Sequence, residues 1–335
     1  MSGANVPYQL RTNKFVERQL FLDILDFVRV WNGPSKYLYA SMGGRFLEDF
    51  KLINDRFAIE RMVCIELDET TARRQAFNCP LGFIECRCQS SGDFILDFDR
   101  LLAGAAGLRI IVWLDYAVAN ERGTQLQEYQ ELVSKLAPGD VVKVTLNANP
   151  QSIRQPWQFG VRGDFQKAVI DNLIVQLGDY APKEEITPQD ASPKQFARVL
   201  ARSVKIAALK GIGGKGDATI EPLGSYRYRD GEHQMLTVTA LVSNEELTGL
   251  TGSDERFREW PFRSDEWDKV YEINVPDLSP GEREHINRLL TTKEEYHIHQ
   301  ELPFRLDADE TESLRSFKSY VQHYRRYPTF GRVRM

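Results

Sequence analysis

The chain has 335 residues, 42% of them hydrophobic and 27% charged, enough apolar material for one large core or two smaller ones. Its 43 Lys and Arg against 48 Asp and Glu leave a net charge of −5, which excludes a uniformly basic coat for nucleic acid; any such contact must be local. Charges interrupt every longer apolar stretch and the opening MSGANVPYQLRTNK lacks an apolar core, so neither a membrane span nor a signal peptide is expected, and a cytoplasmic location is.

Taken in chain order, Phe15, Leu20, Ile24, Leu25, Val28 and Trp31 recur at helical spacing and predict an amphipathic helix over 13–31, ended by Asn32-Gly33-Pro34. A short run, Tyr37 to Ala40, then stops at Ser41-Met42-Gly43-Gly44, and Phe46 to Phe57 reads as a helix. Arg61 to Leu67 is a second buried run and Asp68 to Phe77 a second helix of this series. Cys64, Cys79, Cys86 and Cys88 crowd into this part of the chain. A disulfide framework would spread them, and a zinc ribbon would pair them as CxxC, so they read as free thiols.

The alternation continues with strands at Phe83–Cys86, Arg109–Leu114 and Val141–Leu146, and a helix over Thr124–Leu136. Strands alternating with helices in this way predict a parallel sheet covered on both faces. Such a sheet binds its ligand beyond the carboxyl ends of its strands, where strand order reverses. The loops after the first four strands are therefore the place to look for function.

After Pro150 come a helical pattern from Asp164 to Leu177, the Pro-rich APKEEITPQDASP, and a helix from Pro193 to Lys210 with a capping box expected between Ser192 and Gln195. Two long strands, Ala218–Tyr228 and Gln234–Val242, flank an Asp230-Gly231 turn, a strong hairpin signal. Beyond Ser243 the sequence predicts a strand near Val270–Val275, a helix opened by the capping box Ser279-Pro280-Gly281-Glu282, and a last helix from about Asp309 to Tyr327. The expected domains are an N-terminal helical segment (1–35), a sheet domain (36–245) with an insertion or cap at 151–192, and a C-terminal appendage (246–335).

This pattern resembles the class I S-adenosylmethionine-dependent methyltransferases over roughly Tyr37 to Val242, and more loosely uncharacterised bacterial O-methyltransferase-like proteins. Leu132 to Val142 (LVSKLAPGDVV) is similar to the family's "LxxxLkPGGxlv" turn, which is structural. The resemblance implies an α/β, Rossmann-like sheet of parallel strands with a terminal antiparallel hairpin, plus here a small α+β appendage. It also implies S-adenosylmethionine as cofactor. Ser41, Gly43 and Gly44 stand where the family places its Gly-rich loop, although GxGxG is reduced to two adjacent glycines. Glu48 and Asp49 have two readings, contact with the methionine amine or a favourable charge at the helix start.

Glu66, at the end of the second strand, aligns with the acidic residue that accepts both ribose hydroxyls, while Asp68 reads as a helix cap. Gly92-Asp93-Phe94 resembles the "GD" motif, in which Asp93 would accept from the adenine amino group and Phe94 would pack on the ring; Gly and Asp are also ordinary turn residues. Asp115 occupies the fourth motif position, facing methyl donor or acceptor, followed by Tyr116. Both are candidate catalytic residues, Asp115 as a base or an orienting group, or simply as a turn aspartate. The two prolines of [DNS]-PP-[YFW] are missing, which argues against a DNA amino-methyltransferase.

Other signals are weaker. Gly211 to Asp217 lacks GxxxxGK[ST] and precedes a strand, so a loop lining the site mouth is expected rather than a phosphate cradle. A nicotinamide site lacks its third glycine. His297 and His299 would share one face of a strand, but no third ligand is placed, and no metal is expected. From Arg315 to Met335 there is no acid, and Lys318, Arg325, Arg326, Arg332 and Arg334 interleave with Tyr320, Tyr324, Tyr327 and Phe330. Two readings stand: a surface for nucleic acid or a protein partner, or a basic helix end whose aromatics dock on the domain. The sequence thus predicts transfer of a methyl group to an O or N nucleophile of an unknown acceptor. The alternative is a non-catalytic scaffold of the same fold.

Overall fold

The computed structural model describes residues 11–33, 36–153, 162–183, 186–290 and 294–329. Eight strands form one sheet: β1 (Lys36–Ser41), β2 (Arg61–Glu66), β3 (Ile84–Cys88), β4 (Leu108–Asp115), β5 (Val141–Asn147), β6 (Thr219–Asp230), β7 (His233–Ser243) and β8 (Tyr271–Ile273). Their order is β3-β2-β1-β4-β5-β7-β6-β8. The first five run parallel, while β7 is antiparallel to β5 and to β6. Gly231, at φ +62°, supplies the left-handed residue that the β6–β7 turn requires. Beyond the expected hairpin, β8 adds a further strand parallel to β6, so the chain after residue 246 completes the edge of this sheet.

Thirteen α-helices surround it among the described residues: α1 (Thr12–Trp31), α2 (Glu48–Phe57), α3 (Glu69–Asn78), α4 (Ser91–Leu96), α5 (Phe98–Gly104), α6 (Arg122–Lys135), α7 (Arg162–Leu177), α8 (Pro193–Ile212), α9 (Glu245–Ser253), α10 (Glu255–Glu259), α11 (Pro280–Leu290), α12 (Glu295–Glu301) and α13 (Glu310–His323). The period of two in each strand sorts its side chains between two cores. Leu38, Ala40, Ile110, Val112, Leu114, Val142 and Val144 face α4 to α8. Tyr39, Ile111, Trp113 and Val141 face α1, α2 and the C-terminal helices. A run such as RIIVWLD therefore has no polar side because both of its faces are covered.

The turn at Pro138-Gly139-Asp140 shows why its residue types matter. Gly139 takes φ +96°, and its N–H donates to Val242 O at 2.8 Å. The buried Asp140 carboxylate accepts the N–H of Ile110 (2.7 Å) and of Ala137 (2.8 Å). Burial, only partly offset by those bonds, pushes the Asp140 pKa up to about 6.

Several expectations are corrected. The stretch after β3 is not a loop carrying a Gly-Asp turn but the two helices α4 and α5. Ser192 precedes Pro193 without a side-chain cap hydrogen bond; the box forms one turn earlier, between Thr187 and Asp190. The box at Ser279 and Glu282 does form, with Ser279 N donating to Glu282 Oε2 at 2.7 Å. Gly211 to Asp217 lies at the opposite end of the sheet from the strand carboxyl ends, where Lys215 Nζ donates to Leu136 O. His297 and His299 sit on helix α12 rather than a strand, so two residues' spacing turns them apart. Among the described residues no three His, Cys, Asp or Glu side chains form a metal-holding group.

The C-terminal aromatics are largely internal. Tyr320 and Tyr327 are buried, donating to Asn287 Oδ1 and Pro276 O, while Arg326 pairs with Asp23 of α1 at 2.7 Å. Phe330, Arg332 and Arg334 lie outside the described residues. No helix among the described residues is long and apolar enough to cross a membrane.

Candidate active site

Strand order reverses between β1 and β4, so their connections leave in opposite directions and open a crevice above the strand ends. The crevice is a cleft of about 540 Å³, within the roughly 300–1,000 Å³ of small-molecule sites. Gly43 and Gly44 line it from β1, Glu66 from β2, Gln89, Ser90 and Ser91 from β3, Asp115 and Tyr116 from β4, and Asn147 from β5. Arg11 and Lys14 close it from the start of α1, Glu128 from α6, and Asp230, His233 and Met235 from the β6–β7 hairpin.

The glycine loop is shaped by packing. A Cβ at Gly43 would fall 2.5 Å from Leu47 Cδ2, 2.8 Å from Phe50 Cε2 and 2.9 Å from Cys64 Sγ. Gly44 adopts φ +50°. Its carbonyl accepts Gln75 Nε2 at 2.9 Å, and that of Arg45 accepts Asn78 Nδ2 at 3.0 Å, which ties the loop to α3. A short backbone lying flat on the strand end leaves room for a ligand against it. Across the loop, Glu66 keeps its carboxylate oriented by accepting the Asp68 N–H at 3.0 Å, and Asp68 caps α3 through Thr71 N at 2.7 Å.

Asp115 closes β4 with its side chain 14% exposed and 3.4 Å from Arg18 Nη2. Burial alone would raise its pKa. Lys14, Arg18, a hydrogen bond from Thr145 and Lys143 outweigh that and hold the carboxyl below its ordinary value. Tyr116 is buried and its phenol donates to Glu128 Oε2; burial, then the Glu128 charge, pushes its pKa well up, so it stays a neutral donor.

Behind Asp115 lies a set of charges that the residue pattern does not disclose. Glu17, Arg18 and Lys143 are all buried, with Lys143 Nζ 2.8 Å from Glu17 Oε1 and Arg18 Nη1 2.9 Å from Glu17 Oε2. Arg18 also reaches Asp49 at 3.4 Å and Tyr228 Oη at 3.1 Å. Lys143 Nζ stands 3.5 Å from the Trp113 ring centroid and 4.1 Å from that of Phe21. Burial lowers the Lys143 pKa to about 8 against the pull of Glu17, and burial raises that of Asp49 despite Arg18. Together with Lys14 the cluster balances three acids against three bases, as buried charge must. A charged pair Glu17-Arg18 within an apolar helical stripe was the available signal.

Of the residues named from sequence, the cleft brings together Gly43, Gly44, Glu66, Asp115 and Tyr116, and Glu48 joins them. Ser41 is buried beneath it, and Asp49 turns inward to Arg18. Asp93 and Phe94 do not line it. Ser90 caps α4 by accepting Asp93 N at 3.0 Å, and its hydroxyl donates to Asp93 Oδ2 at 2.6 Å. Phe94, in the next position, is buried edge-on against Phe98 with ring centroids 5.5 Å apart. The S-x-x-D spacing of Ser90 and Asp93 is a capping signature.

A sequence model of the family described as "Putative O-methyltransferase" matches residues 6–335. The chain belongs to this family. No curated protein matches it in sequence. Among solved structures, the N-methyltransferase NodS from Bradyrhizobium japonicum WM9 is similar at 10% identity, covering 68% of this chain and 97% of its own, with a TM-score of 0.36. The O-methyltransferase TomG from Streptomyces achromogenes, solved with SAM, is 17% identical over 67% of this chain and 78% of its own, TM-score 0.35. A LepI variant solved with SAH and a substrate analogue is 12% identical over 64% of this chain, TM-score 0.32, and the chain spans only 46% of it. Membership of the O-methyltransferase family thus rests on the nearly full-length family match and not on these likenesses.

Proposed function

We propose that the cleft is the S-adenosylmethionine site of an O-methyltransferase. The observation that carries this reading is the convergence of a glycine loop, with no room for a Cβ at Gly43, a carboxylate at the end of β2 and a second carboxylate at the end of β4 in one crevice at the switch point. Gly43 and Gly44 admit the amino-acid portion of the cofactor, Glu66 accepts the ribose hydroxyls, and Gln89 to Ser91 border the adenine, the place first given to Asp93 and Phe94. When bound, the cofactor supplies a methyl group on a sulfonium, open to in-line attack by the acceptor oxygen.

The chain's own residues then orient the acceptor. Asp115, held ionised by Lys14 and Arg18, accepts the acceptor's hydroxyl hydrogen and aims the oxygen; Tyr116, fixed by Glu128, walls the same side. Positioning of this kind, with partial proton removal, supplies most of the rate in methyl transfer. The acceptor half of the cleft is bounded by Arg11, Lys14, Asn147 and His233, a polar rim suited to a small hydroxylated molecule. Four free thiols support a cytoplasmic setting.

Calorimetric titration with S-adenosylmethionine tests the reading. Binding is expected in the micromolar range, and Gly43→Ala, whose Cβ must displace Leu47, Phe50 or Cys64, is expected to weaken it by about 10-fold or more. Absence of heat at millimolar ligand would leave the fold as a non-catalytic scaffold.

A further inference from the structure

The two edges of the sheet are unlike. Strand β8 spans three residues, and its Glu272 is held by Arg227 of β6 at 2.6 Å and by Arg315 of α13 at 2.5 Å. Strand β3 pairs with β2 on one side, and no other described strand takes up its far side. Just past its end, the Gln89 N–H donates to Glu66 O at 3.0 Å. Backbone groups alternate along a strand, so those of Glu85 and Arg87 face β2 as well. The N–H and C=O of Cys86, the N–H of Cys88 and the C=O of Ile84 therefore point away from the sheet, while the Ile84 N–H is taken by Leu81 O at 3.1 Å.

Edge strands are usually blunted by a proline, a bulge or a lysine that deters a further strand. Strand β3, Ile84-Glu85-Cys86-Arg87-Cys88, has no proline and runs against β2 without a register shift. Its two charges are of opposite sign and straddle Cys86. Arg87 Nε stands 2.8 Å from Glu85 Oε1 and Nη2 3.0 Å from Oε2. Both side chains reach solvent, 28% exposed for Arg87 and 59% for Glu85, and they line one groove together with Phe83 and Gln89. Around this edge Phe83 is 37% exposed, and Phe77 of α3, the helix that packs against β2 and β3, is 90% exposed.

We infer that β3 is a self-association edge, to which a second copy of this chain adds its own β3 antiparallel, about a two-fold axis through Cys86. The outward backbone groups fit this register. Cys86 exchanges N–H···O bonds with Cys86 of the second copy, and each Cys88 N–H donates to Ile84 O across the axis. Glu85 then stands opposite Arg87 of the second copy, and Arg87 opposite its Glu85, at the pairs where antiparallel side chains come closest. A two-fold contact needs a self-complementary patch, and Glu-Cys-Arg paired antiparallel with itself is one. Two short strands alone bury less than the roughly 1,200 Å² of a stable interface. Phe77 and Phe83 flank them, and aromatic side chains of this kind cover about 150–250 Å² each. The pairing joins two sheets into one and does not depend on where the cofactor lies.

Analytical ultracentrifugation of the full chain and its charge variants tests this. The parent should sediment as a dimer at micromolar concentration. In Arg87→Glu and in Glu85→Arg like charges meet across the axis, and each is expected to weaken the dimer about 10-fold or more. The double variant Glu85→Arg, Arg87→Glu should regain it. So should an equimolar mixture of the two single variants, since opposite charges again face each other. Both residues are solvent-accessible, so the variants should unfold at the denaturant concentration of the parent. In amide hydrogen exchange, the Cys86 and Cys88 N–H groups should be protected in the parent and exchange about 10-fold faster in Arg87→Glu. A parent that stays monomeric at about 100 μM overturns the inference. A dimer that both single variants keep also overturns it, because the contact then lies elsewhere, and a double variant and a mixture that both stay monomeric overturn the two-fold register.

Discussion

The two faces of the sheet are built on opposite principles. Toward α4–α8 the contact is apolar, with Leu38, Val112, Leu126, Leu132 and Phe196 fully or almost fully buried. Toward α1 the middle of the sheet holds Glu17, Arg18, Asp49 and Lys143, all buried, among Phe21, Trp113 and Tyr226. The first arrangement contributes stability without fixing direction, since each buried Leu or Val is worth about 1.5–3 kcal/mol wherever it packs. The second is costly to desolvate, and it is kept on the face that carries Asp115. Directional ion pairs there hold one carboxylate of the cleft in place and in one ionisation state.

Breaking the charged face should have the largest effect. Lys143→Met leaves Glu17 buried with one cation fewer and is expected to cost about 3–5 kcal/mol in denaturant unfolding. The double change Glu17→Leu, Lys143→Met should recover most of that stability, because an apolar pair of similar volume avoids the desolvation. A double variant as unstable as the single one would mean that the cluster is held by something other than charge balance. On the apolar face, Leu132→Ala should cost about 3 kcal/mol, through lost burial and a cavity. Its affinity for S-adenosylmethionine should stay unchanged; a parallel loss of binding would erase the division of labour between the faces.

A smaller effect should appear with pH. His323 is buried against Phe262, ring centroids 4.8 Å apart, and burial, then Arg326, lowers its pKa to about 4 from 6.5. Between those values the unfolded chain binds a proton that the folded chain refuses, so stability falls as pH drops below about 6.5. Unfolding at pH 7 and pH 5 should show the parent losing about 1–2 kcal/mol relative to His323→Phe. Equal losses in both proteins would place the acid sensitivity elsewhere.

The sheet was legible because its signals are local: RMVCIEL and VVKVTL are strands by run length, and Asp230-Gly231 closes a hairpin by turn chemistry. That Gly43, Gly44, Glu66 and Asp115 would line one cleft was legible for a related reason, since each sits at a fixed offset from a strand end. Asp93 and Phe94 were placed in the site on the residue types Gly-Asp alone, while Ser90 three residues earlier marks the start of the helix that holds them, beside the cleft rather than in its lining. Lys143 could be assigned to a strand, but its partner Glu17 lies on the N-terminal helix, and such pairing is set by tertiary packing. His297 and His299 show the same limit, as short polar runs carry too little period to separate helix from strand.

The central claim is that the cofactor lies between Gly43, Glu66 and Asp115, with Asp93 outside the site. Paired calorimetric titrations of Glu66→Ala and Asp93→Ala with S-adenosylmethionine test it most directly. Loss of two hydrogen bonds to a carboxylate should weaken binding about 10- to 100-fold in Glu66→Ala, while Asp93→Ala should bind as the parent does. Equal loss in both variants, or loss in Asp93→Ala alone, would contradict the account.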